Sequence, residues 1–357
     1  MLMKAEISVI MSVYNGEEYL AETIESVINQ TFKNWELIII NDCSKDSTGE
    51  ILADYAERDD RIKVFTNETN LKLPASLNKA ISLSSGKYIA RMDADDICLP
   101  DRLEKQYKFM EENSDTALSS CRFFTVKNGV YKPGGVGGRY DYEAVSALLL
   151  VTNPIMHPGV IARAEVLKKY SYDVTVTCTE DLELWTRLVM EKQKIRILPE
   201  YLLIYRLHDK QITSTTLERQ HTEVLKIEEK FYLSLVSEMS DEMKKFYIGG
   251  VYFKEIAGID KFIKYAKWLK RNATENFEKS AVEYALFEIL AEYKRCGIKK
   301  ADIIRGMLIL SPFFLAKEII RRKKAAKKDV EKCMKAAEKL GLKMTSGTKA
   351  FPIFECK

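Results

Sequence analysis

Two apolar patterns alternate through the first hundred residues. Ile7–Val13, Leu37–Ile40, Lys63–Thr66 and Tyr88–Ala90 are short, nearly continuous apolar runs, the signature of strands buried on both faces of a parallel sheet. Between them the spacing changes to that of helices. Leu20, Ile24, Val27 and Ile28 share one helical face, as do Ile51, Leu52 and Tyr55, and then Leu77, Ala80, Ile81 and Ser84. Ser44-Lys45-Asp46-Ser47-Thr48 supplies capping residues for the second helix, and Gly86 closes the third. Strand and helix in regular alternation predict an α/β fold built on a doubly wound sheet.

The pattern is mixed from about Ala117 to Ile212. Asn153–Gly159 reads as a loop carrying two prolines, and Thr179-Glu180-Asp181 opens an amphipathic helix with Leu184, Trp185, Leu188 and Val189 inward. Ile195–Leu198 and Leu202–Tyr205 read as two strands, the second ending at Arg206-Leu207-His208. Beyond the polar stretch Thr213–Thr216 the periodicity is helical to near the end, which predicts a second, all-helical region.

Ligands of doubly wound sheets bind beyond the carboxyl ends of the strands. Three such ends carry polar or aromatic residues: Tyr14-Asn15, Asn41-Asp42 and Asp93-Ala94-Asp95-Asp96. Three carboxylates within four positions repel one another unless a positive charge sits among them, and a divalent cation bearing a polyphosphate supplies it. The bland alternative is a solvated acidic turn. No GxGxxG follows the first strand and no GxxxxGK[ST] occurs, against a dinucleotide oxidoreductase or a P-loop phosphotransferase.

The chain has three histidines. His157 and His208 fall in loops of the α/β part, and His221 reads as a surface residue of the helical part. His208 closes a strand able to run beside the acid-bearing one; an imidazole added to carboxylates suits Mn²⁺ at least as well as Mg²⁺. Glu180 and Asp181 are a second acidic pair. At a helix N-terminus they are explained by the helix dipole alone, or they supply a carboxylate base already ionised at neutral pH. Tyr14 is a core residue or a plate for stacking a nucleobase, and Asp42 a turn acid or a partner for a donor-rich base edge.

Composition narrows the class. With 357 residues, 46% hydrophobic and 30% charged, the chain has room for two domains of ordinary globular character. A net charge of +4 is too small to argue for nucleic acid. Seven cysteines without CxxC spacing form neither a zinc nor a disulfide framework and read as reduced thiols. Met1–Lys4 leads into a strand rather than a signal peptide, no apolar run reaches the roughly 18 residues of a membrane span, and Cys356 is not placed for prenylation. A cytoplasmic location is expected.

Taken together, these segments resemble family 2 glycosyltransferases of the GT-A type. Ile7–Gly16 is similar to that family's opening strand and "VYN" turn, Leu37–Thr48 to its "VDDGSTD" segment and Ser85–Pro100 to its DxD segment. Asn153–Gly159, Glu180–Arg187 and Tyr205–His208 are similar to its acceptor-side loop, its "ED" helix and its late histidine. The resemblance covers about residues 6 to 212. It implies a GT-A-type, Rossmann-like doubly wound mixed sheet over residues 1–213, with a nucleotide-sugar half of about 1–116 and an acceptor half of about 117–213, followed by a helical domain over 214–357. Tyr14 would stack on the base, Asp42 would bond its edge, and Ser12, Lys72, Arg91 and Ala94 would line the nucleotide-sugar pocket. Asp93 would contact the ribose or sugar. Asp95 and His208 would hold Mn²⁺ or Mg²⁺, while Asp96 would only shape the turn. Asp181 would be the general base with Glu180 beside it, and His157 and Trp185 would lie on the acceptor side. There are two departures: Lys72 replaces the glycine of "NxGL", and Cys43 stands where glycine or asparagine is commoner.

That family's chemistry implies inversion at the anomeric carbon, a uridine diphosphate sugar as donor, and a glycan or lipid-linked acceptor in surface polysaccharide synthesis. A sugar-phosphate nucleotidyltransferase would carry a glycine- and lysine-rich pyrophosphate loop after the first strand, where Tyr14-Asn15-Gly16-Glu17-Glu18 stands. A non-catalytic glycan-assembly partner would show a damaged DxD or lack the base. In the tail, Met307–Ala316 is apolar and is followed by Arg321-Arg322-Lys323-Lys324 and Lys327-Lys328. This reads as a peripheral membrane contact or as a core helix with a solvated basic end.

Overall fold

A computed structural model describes residues 5–135, 138–208, 217–235, 259–273, 276–295, 299–348 and 351–356. Its first half is β1 (Ile7–Val13), α1 (Leu20–Ile28), β2 (Trp35–Asn41), α2 (Thr48–Arg58), β3 (Ile62–Thr66), α3 (Leu73–Leu83) and β4 (Tyr88–Asp93). Then come β5 (Ile97–Cys98), α4 (Arg102–Glu112), β6 (Thr116–Lys127), β7 (Val130–Gly134), α5 (Tyr142–Leu148), β8 (Ile161–Arg163), α6 (Ala164–Lys169), α7 (Glu180–Met190) and β9 (Lys194–Arg206). The remaining helices are α8 (Leu217–Leu235), α9 (Ile259–Asn272), α10 (Lys279–Arg295), α11 (Lys300–Met307) and α12 (Pro312–Lys339), before the hairpin β10 (Leu342–Thr348) and β11 (Phe351–Cys356).

The parallel strands run in the order β3-β2-β1-β4, with β8 and β6 continuing antiparallel beyond β4. Strand alternation explains why these sequences are apolar throughout. Ile10, Ile38 and Ile40 face Leu77 and Ile81 of α3, whereas Val9, Met11, Leu37 and Ile39 face Leu20, Ile24 and Leu52 of α1 and α2. At the amino ends of the strands, buried Glu36 accepts bonds from Ser8 Oγ (2.6 Å), Ser85 N (2.8 Å) and Lys63 Nζ (2.6 Å). Burial opposes its ionisation, but these donors outweigh burial and bring the carboxyl down to about 2.

The site lies at the opposite end. β1 is followed by a connection to β2 on one side, while β4 lies on its other side, so the strand order reverses between β1 and β4. There Ser12 is in register with Asp93, and Asp42 N donates to Val13 O (2.8 Å).

Two expectations are corrected. Ile195–Leu198 and Leu202–Tyr205 are one strand, β9, whose pairing with β6 shifts register around Cys121–Phe123 so that Pro199 is accommodated. The C-terminal part is not all-helical, because β11 pairs with β10 and with β7 and so extends the main sheet. The expected boundary at Thr213–Ser214 lies outside the described residues. On its far side the chain shares a core with the α/β part: Val224, Ile227, Phe231 and Tyr284 pack in one cluster with Leu148, Leu182 and Trp185.

Candidate active site

β4 delivers Arg91 and Asp93 to the carboxyl edge of the sheet, and the turn before β5 adds Asp95 and Asp96. Arg91 is buried and pairs through both terminal nitrogens with Asp93. Ligand oxygens of Asp93, Asp95 and Asp96 lie within 4.8 Å of one another. Burial raises Asp93 to about 6 despite Arg91, with the charge on Asp95 adding to the rise. Burial and the charges of Asp93 and Asp95 hold Asp96 well above the usual carboxylate range. So many acids around one guanidinium are short of positive charge.

β9 brings its end to the same place. His208 Nε2 is 2.8 Å from Asp95 Oδ2. Arg206 donates from its backbone N to Asp96 Oδ1 (3.0 Å) and from Nε to Asp95 O (2.8 Å), and its guanidinium lies 4.8 Å over the Tyr19 ring. Asp96 is fully buried, which agrees with a turn-shaping part, and it does more than that. By holding Arg206 it fixes the approach of His208. Its second oxygen, Oδ2, is buried without a partner. Clustered hard oxygens, an imidazole and an unpartnered carboxylate oxygen fit Mn²⁺ or Mg²⁺.

Glu180 and Asp181 open α7 on the other wall. Asp181 accepts from Leu182 N (2.7 Å) and Asn153 Nδ2 (2.8 Å), which orient both its oxygens. Burial raises its pKa; those two bonds and the charge of Arg91 oppose the rise. Glu180 is pushed to about 8 by burial and by its neighbour Asp181. The charge of Asp181 also raises Asp93, and those of Asp93 and Glu180 act on Arg91, so the second acidic pair lies near the DxD acids.

His157 is buried beneath Glu180, with Nδ1 3.8 Å from Glu180 Oε1 and Nε2 2.7 Å from the Tyr172 hydroxyl. Burial and Arg91 push its pKa well below the ordinary value, so it is a neutral spacer. Trp185, expected on the acceptor side, is fully enclosed and meets His157 edge-on at 5.7 Å. It supports the wall and cannot touch an acceptor.

Of the residues expected on the nucleotide side, Tyr14 stands 50% exposed beyond β1, available as a plate, and Ser12 and Ala94 are half-buried. Asp42 has the bonds of a turn acid: it is buried and accepts from Asn67 Nδ2 (2.8 Å), Leu71 N (2.8 Å) and Lys72 N (2.9 Å), so it shapes the loop that leads into α3. Both departures from the family wording have a backbone meaning. Cys43 has φ 65° and Lys72 φ 71°, ψ 164°, conformations that favour glycine.

Four contributors were not legible as such: Asn153, Tyr172, Arg206 and Glu223. Glu223, on α8, accepts from Cys178 N (3.0 Å), Thr179 Oγ1 (3.1 Å), Thr177 N (3.4 Å) and Arg219 Nε (3.1 Å). It thereby anchors the segment leading into Glu180 and Asp181. His221 lies on the same helix, outside the residues whose side chains are described.

The glycosyl transferase family 2 model matches residues 8–171. An uncharacterised glycosyltransferase of Methanocaldococcus jannaschii is 34% identical over 256 residues, covering 71% of this chain and 85% of that protein. The chain belongs to glycosyl transferase family 2. Among other relatives of this family 2 glycosyltransferase, the O-antigen biosynthesis glycosyltransferase WbnJ of Escherichia coli is 34% identical, covering 59% of this chain and 83% of its own. The GT-A fold is shared with S. aureus TarS 1–349 in complex with UDP-GlcNAc (TM-score 0.55, 17% identity, 86% of this chain and 90% of that one). It is also shared with the Pyrobaculum calidifontis mannosyltransferase PcManGT in complex with GDP-Man and Mn²⁺ (TM-score 0.51, 15% identity, 92% and 88%).

Proposed function

We propose that this family 2 glycosyltransferase is an inverting, metal-dependent enzyme. Its donor is a nucleotide diphosphate sugar, a uridine diphosphate sugar on this reading, and its acceptor is a glycan or lipid-linked hydroxyl in surface polysaccharide synthesis. What supports the reading is that the acids of β4 and the acids of α7 lie near enough to Arg91 and to each other for their charges to interact, with Asp95 bonded to His208 beside them. The O-antigen role of WbnJ and the nucleotide sugars bound by TarS and PcManGT support it.

On this reading Tyr14 stacks on the base, the loop ordered by Asp42 closes over it, and Lys72 places an ammonium near the phosphates. Asp95, His208 and Asp96 hold Mn²⁺ or Mg²⁺, which when bound supplies a Lewis acid for the departing diphosphate. Arg91 fixes Asp93 toward the donor's ribose or sugar. Asp181, its oxygens aimed by Asn153 and the α7 backbone, takes the acceptor hydroxyl's proton as the new bond forms. Glu180 stays protonated at neutral pH and leaves the negative charge on Asp181. One displacement without a covalent intermediate inverts the anomeric carbon, and holding both substrates in line supplies much of the rate. A lipid-linked acceptor would bring the enzyme to a membrane surface as a peripheral protein.

The test is hydrolysis of a UDP- and GDP-sugar panel with Mn²⁺, Mg²⁺ or chelator. Metal-dependent release of UDP, abolished in Asp95→Asn, is expected. No release from any donor would favour a non-catalytic partner in glycan assembly, and release of GDP alone would overturn the nucleotide assignment.

A further inference from the structure

The exposed apolar residues of this chain are unevenly placed. Ile304, Leu308, Phe313, Ile319 and Ile320 all lie on α11, the turn after it and the start of α12, with Leu308 78% and Phe313 81% exposed. They surround a helix pair whose inward residues, Ile303, Leu310 and Phe314, are packed in the main core. The core therefore already holds this element, and the outward side chains form a second, uncovered apolar face.

Charge identifies the partner. Phe313, Lys317, Ile320, Lys324 and Lys328 are all exposed and recur at helical spacing, so they form one stripe along α12. Between Lys299 and Lys328 there are ten basic and two acidic residues. Glu318 is buried and consumed by Arg321 and Arg322, and Asp302 pairs with Arg305, so neither carboxylate screens Lys317, Lys324 or Lys328. Farther along the stripe, Lys324 and Lys328 join Arg321 and Arg139 around a cavity of about 380 Å³. Its one acid, Asp141, is already bonded to Arg139. A second copy of the chain packed two-fold on this face would set one net-basic surface against another. An anionic lipid surface instead offers an apolar layer for Leu308 and Phe313 and phosphates for the lysines. No helix among the described residues is long and apolar enough to cross a membrane.

We infer that the α11–α12 corner is a peripheral docking face for anionic lipid bilayers, with Leu308 and Phe313 inserting and Lys317, Lys324 and Lys328 meeting headgroup phosphates. The inference gives a surface to the lipid-linked acceptor reading and rests on that reading only for its purpose. It places the docking element on the same folded body as the cleft, so a bound enzyme would hold its active site at a fixed distance from the membrane.

The experiment is co-sedimentation of the full chain with vesicles of phosphatidylcholine alone or with phosphatidylglycerol added. Binding to the anionic vesicles, weakened by salt and lowered about 10- to 100-fold in Leu308→Ser/Phe313→Ser, is expected. Lys324→Gln/Lys328→Gln should weaken anionic binding as well. Metal-dependent donor hydrolysis in solution is measured on the same variants and stays unchanged, so loss of docking and loss of catalysis are read separately. No sedimentation with anionic vesicles would overturn the inference. So would a dimer in sedimentation velocity that Leu308→Ser/Phe313→Ser dissolves, since the face would then belong to a second copy.

Discussion

Replacing Glu223 by alanine tests whether the helical region takes part in catalysis. Its carboxylate, mostly buried, accepts from Cys178 N at 3.0 Å and Thr179 Oγ1 at 3.1 Å, directly before Glu180 and Asp181. Hydrogen bonds to a charged group contribute roughly 1.5–3 kcal/mol each, and water entering the gap restores part of that. A net loosening of about 2 kcal/mol at residues 177–179 is therefore expected. If all of it falls on the alignment of Asp181, kcat drops about 30-fold. The proposed donor site is assigned to the ends of β1, β2 and β4, so the KM for donor should stay within about twofold. Glu223→Gln keeps an acceptor oxygen and should recover much of the rate. The assay is steady-state transfer with donor and acceptor varied separately, beside a thermal melt. Unchanged kcat in a destabilised Glu223→Ala protein would refute the argument, as would a rise in donor KM matching the fall in kcat.

Further outcomes follow from the same geometry. His208→Ala should lower apparent Mn²⁺ affinity about 10- to 100-fold in an activity titration and narrow any advantage of Mn²⁺ over Mg²⁺. Glu180 has a folded pKa raised from 4.5 to about 8, so the folded state holds a proton the unfolded chain has lost. Its contribution to stability is full below about pH 4.5 and declines as pH rises toward 8. Glu180→Gln should flatten that decline in melting temperature across the window. Lys72→Gly should relieve the backbone at φ 71°, ψ 164° and stabilise the fold by about 1 kcal/mol after the entropy of glycine is counted. It should raise donor KM if the ammonium meets the phosphates; a melting temperature that falls would contradict the strain.

What the sequence made legible was whatever depends on short stretches. The apolar runs of β1, β2 and β4 and the acids that end them are contiguous, so strand, strand end and DxD could be read together. His208 and the Glu180-Asp181 pair were found from their positions at element ends. Trp185 was misplaced because its helical face was read correctly as inward while its partner was not visible: the inward face meets His157 and the core. Asp42 could not be assigned between a turn acid and a base partner because its loop partners, Leu71 and Lys72, offer backbone N–H groups that no residue code announces. Glu223 was invisible for a related reason, since nothing local separates an anchoring glutamate from a solvated one on an amphipathic helix. β10 and β11 were missed because a short edge hairpin after a long helix has little periodicity of its own.

The shared core has a practical consequence for anyone recombining these enzymes. Because α8 ties down the entry to α7, and Tyr284 of α10 packs in the same cluster as Leu148 and Leu182, the C-terminal third is not a detachable module. Swapping it between relatives to change the acceptor would import a foreign brace for Asp181, the proposed base. A crossover placed after β4 would instead keep α7, its anchor and its buttress in one parental piece.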